Sequence, residues 1–315
     1  MCASRPPLKA QPPRPQPRFF ESLINYFRGW RYDAAGVLVC FAAMYFGWLM
    51  LADPSFLTLR LRDAASSLCA ATSLVLAIFL INDAADRDID ALVHPDRPIP
   101  RGTADWRHVY GFGVALLALS IALAALLGTR YLIAITATVV LVLIYYTSLK
   151  RRSPIPCASE LIAPLISAMF PLPAFALGPN PRIDIALTIA SFIYFADMAQ
   201  DLLGGIHDEA GDRRCNVRTF AVTIGADATS KLSAIAFALS LLSGAALWWL
   251  AGLGWIYAIT FIALSLTMLR EYLAVLTGDA DLRARASRAN HLGGVYYFVV
   301  SASLLPDELL RRSLA

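Results

Sequence analysis

Two groups of acidic residues, about 120 residues apart, stand out as the part of this sequence that could do chemistry. The first lies in the run NDAADRDID and contains Asn82, Asp83, Asp86, Asp88 and Asp90. Steps of three and four residues place such side chains on one face of a helix. Crowded carboxylates repel each other unless a cation neutralises them, and hard oxygen ligands suit Mg²⁺ bound together with phosphate oxygens. The alternative is a solvated helix end that faces the cytosol.

The second acidic group lies in the run DMAQDLLGGIHDEAGDRR. Asp208 and Asp212 are four residues apart, and Asp201 precedes Asp212 by three helical turns, so all three can share a face. Gly204 and Gly205 interrupt this run and are expected to loosen or kink the helix. Two acidic groups that meet over one diphosphate would suit the metal-assisted ionisation of an allylic ester.

Basic residues follow both acidic groups and are candidate ligands of phosphate oxygens. Arg97 follows the first group, and Arg214 and Arg218 follow the second. Lys150 opens a third basic run, KRR, after an apolar segment. For Lys150 in particular, an alternative is a topology signal, because basic residues concentrate on the cytosolic side of membrane helices.

The composition indicates what positions these residues. Hydrophobic residues make up 58% of the 315 positions, charged residues 16%, and the mean hydropathy is +0.58. A soluble domain is usually less than half apolar and about a quarter charged. The composition therefore predicts an all-α integral membrane protein, because lipid-exposed backbone must satisfy its hydrogen bonds internally. The formal net charge of +4 is interpreted as topology, and no nucleic-acid partner is expected.

Nine apolar segments predict nine transmembrane helices. With the N-terminus in the cytosol, most of the 27 Lys and Arg residues fall on the cytosolic side, as the positive-inside rule requires. Both acidic groups then face the cytosol. The segments cover residues 34–51, 64–82, 109–127, 131–147, 158–177, 184–203, 232–251, 254–270 and 290–305.

These segments divide the chain into three parts. Residues 1–33, rich in Pro and Arg, are predicted to be a disordered cytosolic tail. Residues 34–305 form the predicted nine-helix membrane domain, and residues 306–315 a short C-terminal tail. A basic tail of this kind could also contact anionic lipid headgroups.

The motifs and their order resemble those of the UbiA superfamily of membrane prenyltransferases over nearly the whole chain. The family pattern Asn-Asp-x-x-Asp-x-x-x-Asp is matched by Asn82, Asp83, Asp86 and Asp90. The pattern Arg-Pro-Ile-Pro-x-Gly is matched at residues 97–102. The later matches are the Asp-x-x-x-Asp pair at Asp208 and Asp212 and the Arg-Thr pair at Arg218 and Thr219.

The resemblance implies a nine-helix bundle with a central cavity. It also implies Mg²⁺ held by the two Asp motifs, a diphosphate at the cytosolic mouth and a prenyl tail in an apolar tunnel. This chain departs from the family at Gly205, where many relatives carry a third Asp. A related pattern, Ala-Gln-Asp before the Asp pair, is matched by Ala199, Gln200 and Asp201 with four additional residues, about one helical turn.

The predicted function is Mg²⁺-dependent transfer of a prenyl group from an isoprenoid diphosphate to an aromatic or other lipophilic acceptor. The alternative on the same fold is a terpene cyclase, which needs no acceptor. A transporter or a non-catalytic partner protein is a third hypothesis, disfavoured because no internal repeat is evident. The predicted metal ligands are Asp83, Asp86, Asp90, Asp208 and Asp212; the predicted substrate-binding residues are Asn82, Arg97, Lys150, Asp201, Arg214 and Arg218.

Overall fold

The described part of the chain is entirely helical. The structure, a computed structural model, describes residues 17–30, 34–53, 61–149, 155–178, 181–277 and 281–314. A π-helical turn, Tyr145–Leu149, extends α5. The α-helices are α1 (Phe19–Arg28), α2 (Ala34–Ala52), α3 (Leu61–Val93), α4 (Trp106–Leu126), α5 (Thr129–Ile144), α6 (Ala158–Ala168), α7 (Leu172–Leu177), α8 (Ile183–Arg214), α9 (Phe220–Ile224), α10 (Ala226–Ala251), α11 (Trp255–Thr277), α12 (Leu282–Ala302) and α13 (Leu304–Leu314).

Each predicted apolar segment coincides with helix, which confirms the all-α membrane class. Seven stretches are long and apolar enough to cross a membrane: α2, α3, α4, α6 with α7, α8, α10 and α11. Helix α5 is apolar but has only 16 residues, and α12 is not among the seven. The count of nine spans and the cytosolic N-terminus therefore stay predictions.

The segment predicted as one helix over 158–177 is split into α6 and α7 by the turn at residues 169–171. Pro171 caps the second piece, and Pro173 follows within its first turn. Proline lacks a backbone N–H and clashes with the preceding helical turn, so a straight helix is interrupted here.

Helix α8 is the axis of the bundle and packs mainly against α10, α12 and α6. Its residues Phe192, Leu202, Leu203 and Ile206 are almost completely buried. Apolar side chains on α4, α5, α10 and α11 are instead exposed on the outside, among them Ile133, Leu242 and Leu266. An outward apolar surface over a packed interior is what a bilayer requires.

Both terminal tails are more ordered than the sequence predicts. Helix α1 lies inside the 1–33 segment that was expected to be disordered, and residues 1–16 are outside the described part. Its run FFESLINYFR is amphipathic and buries Leu23 and Tyr26, a signal that the Pro-rich composition of the whole tail hides. The predicted C-terminal tail at 306–315 falls in α13 as far as Leu314. Within this helix, Asp307 accepts hydrogen bonds from the backbone N–H groups of Gly254 and Tyr257.

Candidate active site

The first acidic group lies near the C-terminal end of α3, and two of its five residues line a cavity. Asp86 and Asp90, one turn apart, line this cavity of about 290 Å³. Asp90 is only 4% exposed, and its Oδ1 accepts a hydrogen bond from Arg97 Nη1 at 2.6 Å. The loop after α3 turns back on the helix, since His94 N donates to Asp90 O and Arg97 N donates to His94 O. This turn brings Arg97 and His94 to the cavity wall.

Asn82 and Asp83 stand at the other end of this motif and are bound by tyrosines. Tyr26 of α1 donates its hydroxyl hydrogen to Asp83 Oδ2 at 2.7 Å. Tyr146 donates to Asn82 Oδ1 at 3.1 Å. Neither Asn82 nor Asp83 is among the residues that line the cavity. The structure thus places the predicted ligand Asp83 behind Asp86 and Asp90, held by the N-terminal helix.

The second acidic group faces the same cavity from α8. Asp201, Asp208 and Asp212 all line it, as their spacing predicts. Helix α8 is continuous from Ile183 to Arg214, so the glycine pair does not break the helix. Packing of the buried Leu202, Leu203 and Ile206 on both sides of the pair keeps it helical.

Two histidines accompany the second acidic group. His94 Nε2 lies 3.7 Å from Asp208 Oδ1, and His207 Nε2 lies 4.0 Å from the same atom. The two imidazole rings are stacked with their centroids 6.2 Å apart. Because His94 follows α3 and Asp208 belongs to α8, this contact ties the two motifs together. The sequence analysis missed both histidines, although each stands within four residues of a motif Asp.

A sixth acid, Glu160 of α6, also lines the cavity and was missed by the sequence analysis. It is 6% exposed, and its Oε2 accepts a hydrogen bond from Phe220 N at 2.5 Å. Its signal in the sequence is an acid inside a predicted membrane segment, which is costly unless it serves a function. Gln200 and Asn290 supply amide groups to the same wall.

The remaining predicted phosphate ligands are placed less closely. Arg214, the last residue of α8, and Arg218, in the connection that follows, are exposed and are not among the cavity-lining residues. The backbone oxygen of Arg218 accepts a hydrogen bond from Cys157 N at 2.7 Å, which holds the α8–α9 connection against the start of α6. Lys150 lies outside the described residues.

The charge of the lining fits a metal–diphosphate. Among the described residues that line it are six acids, one arginine, Arg97, and one histidine, His94, which is cationic only when protonated. Such an excess of carboxylates on facing helices suits hard divalent cations that also bind phosphate oxygens. No three His, Cys, Asp or Glu side chains in the described residues stand close enough to hold an ion by themselves.

Comparison with known proteins identifies the family of the chain. Residues 37–294 match the model of the UbiA prenyltransferase family. A digeranylgeranylglyceryl phosphate synthase from Natronomonas pharaonis is 32% identical over 65% of this chain and 74% of that protein. A synthase of the same name from Methanopyrus kandleri is 27% identical over 70% of this chain and 80% of its own length.

Solved structures share the fold at low identity. An apo UbiA homologue from Aeropyrum pernix superimposes with a TM-score of 0.68 at 19% identity, covering 87% of this chain and 98% of that one. A homologue from Archaeoglobus fulgidus, described as bound to GPP and Mg²⁺, gives a TM-score of 0.58 at 16% identity, covering 90% and 99%. These matches confirm the predicted helical bundle.

Proposed function

Because the chain belongs to the UbiA prenyltransferase family, we propose that its cavity between α3 and α8 is where a prenyl group leaves an isoprenoid diphosphate and joins a lipophilic acceptor. The chain is a multi-pass membrane protein and an enzyme of prenyl transfer. One observation carries the location of the site: acids of both motifs, from helices far apart in the sequence, line a single cavity.

The proposed cofactor is Mg²⁺. Asp86, Asp90, Asp208 and Asp212 are its candidate ligands, directly or through water, and Asp83 supports them from behind. The bound metal supplies positive charge that stabilises the departing diphosphate. The family relative from Archaeoglobus fulgidus described with GPP and Mg²⁺ supports this assignment.

The chain's own residues prepare the substrate for ionisation. Arg97 is held by Asp90 at the cavity wall, where its guanidinium can also bind phosphate oxygens. Asp201 lies about two helical turns before Asp208 on α8, in the same wall of the cavity. Arg214 and Arg218, which do not line the cavity, remain proposals as diphosphate ligands, and Lys150 remains one from its place in the sequence. A dry, preorganised polar site stabilises developing charge better than water does.

The relatives favour transfer over cyclisation. They are named as synthases of a glyceryl phosphate that carries two geranylgeranyl groups, so their product requires an acceptor. By analogy we propose a lipophilic, glyceryl-phosphate type of acceptor for this chain. The terpene-cyclase alternative has no such support, and neither has the transporter hypothesis.

The test uses the full chain in nanodiscs with isoprenoid diphosphates of increasing length. With Mg²⁺ and geranylgeranylglyceryl phosphate or a lipid extract, we expect diphosphate release and a prenylated lipid detected by mass spectrometry. A chelator should stop the reaction. Release of a cyclic hydrocarbon or terpene alcohol without any acceptor would establish the cyclase instead, and no metal-dependent diphosphate release would refute both.

A further inference from the structure

Two buried oxygen atoms in the cavity wall have no hydrogen-bond partner within the described residues. They are Glu160 Oε1 on α6 and Gln200 Oε1 on α8. The other carboxylate oxygen of Glu160 is bound by Phe220 N, which fixes the orientation of the side chain. A buried polar atom without a partner costs about 1–3 kcal/mol, and more when it is charged. Such a cost is retained where a ligand provides the missing hydrogen bond.

The helices around these atoms are shaped to leave them room. A Cβ atom at Gly205 would lie 2.8 Å from Glu160 Oε1. One at Gly204 would lie 3.2 Å from Asn290 Nδ2, and one at Gly294 would lie 3.2 Å from Gln200 Nε2. Three glycines on two helices thus face the polar ends of Glu160, Gln200 and Asn290, and these three side chains line the same cavity.

We propose that Glu160, Gln200 and Asn290 form the acceptor subsite of this enzyme and bind a hydroxyl group of the acceptor. The proposal rests on the function proposed above and names the residues that bind the hydroxyl group of its acceptor. Two oxygen acceptors require a ligand that donates hydrogen, and an amide N–H offers a hydrogen bond in return. A hydroxyl group donates its one hydrogen to one of these oxygens and can accept the amide N–H, whereas the carbon nucleophile of an aromatic ring does neither.

The step balances as an O-prenylation. The bond between C1 of the prenyl group and the diphosphate oxygen breaks, and its electron pair leaves with the diphosphate. A lone pair of the acceptor oxygen forms the new C1–O bond. The hydroxyl proton passes to Glu160 Oε1, which therefore acts as a catalytic residue. General-base assistance of this kind contributes about 10²–10⁴-fold to a rate.

The sharpest variant is Glu160→Gln. The amide oxygen can keep the hydrogen bond from Phe220 N, which places an N–H donor where the free carboxylate oxygen stood. We expect prenyl transfer to geranylgeranylglyceryl phosphate to fall about 100-fold or more. The Mg²⁺ concentration for half-maximal activity and the slow release of diphosphate to water should change less than about threefold. Gln200→Met should mainly raise the KM for the acceptor.

The matched control is Glu271→Gln. Glu271 is also a buried acid, 8% exposed, but it pairs with Arg288 at 2.9 Å and does not line the cavity. This control should keep transfer near the level of the unmodified enzyme. Full transfer activity in Glu160→Gln would overturn the proposal. So would a large rise in the Mg²⁺ requirement without a change in acceptor binding, because the free oxygens would then serve metal-bound water.

A second measurement needs no variant and no turnover. In the O-methyl ether of geranylgeranylglyceryl phosphate a methyl group replaces the hydroxyl hydrogen, so the ether cannot donate to Glu160 or Gln200. With a non-ionisable diphosphate analogue bound, the alcohol should raise the Tm of the enzyme in nanodiscs more than the ether does. Equal stabilisation would overturn the proposal. Absence of any Mg²⁺-dependent diphosphate release would instead refute the proposed function itself.

Discussion

At the level of single residues, the acidic motif of α3 is bound by an aromatic side chain of the N-terminal helix α1. Tyr26 is 1% exposed and donates to Asp83, so α1 is anchored directly to the acidic motif. Groups that orient metal ligands from behind commonly change metal affinity or activity about 10–100-fold when they are removed. Asp83 and Tyr26 together are expected to act in this way.

Tyr26→Phe is therefore expected to weaken the site without dismantling the fold. The variant keeps the ring and loses the hydrogen bond to Asp83 Oδ2. We predict that the Mg²⁺ concentration for half-maximal activity rises about tenfold. Tyr110→Phe, at an exposed tyrosine of α4, is the control and should behave like the unmodified enzyme. An unchanged Mg²⁺ requirement in Tyr26→Phe would show that α1 docks without supporting the motif.

The cavity-facing acids should be far less tolerant. We predict that Asp86→Ala and Asp212→Ala each lower prenyl transfer by at least about 100-fold while the protein still inserts and remains monodisperse. Asp88→Ala is the control within the same motif, because the Asp88 side chain is 57% exposed and does not line the cavity. Substantial activity in both site variants would contradict the assignment of the metal site.

The site residues that the sequence could predict are those that a single helix brings together. Asp201, Asp208 and Asp212 share a face because α8 is regular, and periodicity alone gives that result. Glu160 reaches the same cavity from α6, and only the packing of α6 against α8 at Gly205 reveals it. The tyrosine partners of Asn82 and Asp83 are likewise long-range contacts that spacing cannot report.

At the level of helices, the glycine pair of α8 is a packing device rather than a break. Periodicity predicted the helix, but the glycine pair was expected to loosen or kink it, because glycine lowers helix propensity. Here Gly205 lies under Glu160 and Gly204 under Asn290. The pair places two positions without side chains between Asp201 and Asp208.

Gly205→Ala tests that role. The added Cβ would stand 2.8 Å from Glu160 Oε1, so the carboxylate must move although the helix can continue. We predict a loss of transfer of about tenfold or more with a Tm within a few degrees of the unmodified enzyme. Gly111→Ala on α4 is the control, because its Cβ would meet nothing within 4 Å. A fully active Gly205→Ala enzyme would mean that the position of Glu160 is not critical.

At the level of the whole molecule, composition predicted the class and the outward-facing apolar surface, because a bilayer imposes both on every membrane helix. The ends of the bundle were harder to predict. Helix α1 has polar contacts to the loop before α4, where Asn25 Nδ2 donates to Thr103 O at 3.1 Å. Helix α13 packs against the C-terminal end of α2, where Arg312 donates to Met50 O at 2.9 Å. Such short helices gain their order from docking and not from their own length.

The orientation of the bundle is the remaining prediction, and it determines from which side the substrate enters. If the N-terminus is cytosolic, the loop after α3 lies in the cytosol and the α4–α5 connection lies outside. In a background without the five native cysteines, Arg101→Cys places a thiol on the exposed loop after α3, and Thr129→Cys places one at the exposed start of α5, next to the α4–α5 connection. An impermeant maleimide added to intact cells should label Thr129→Cys and not Arg101→Cys, and permeabilisation should make both reactive. The reverse pattern would invert the topology and place the diphosphate mouth outside. If both thiols are labelled in intact cells, the two positions lie on the same side of the membrane. In that case α4 does not separate them as a single span, and the nine-span count is wrong.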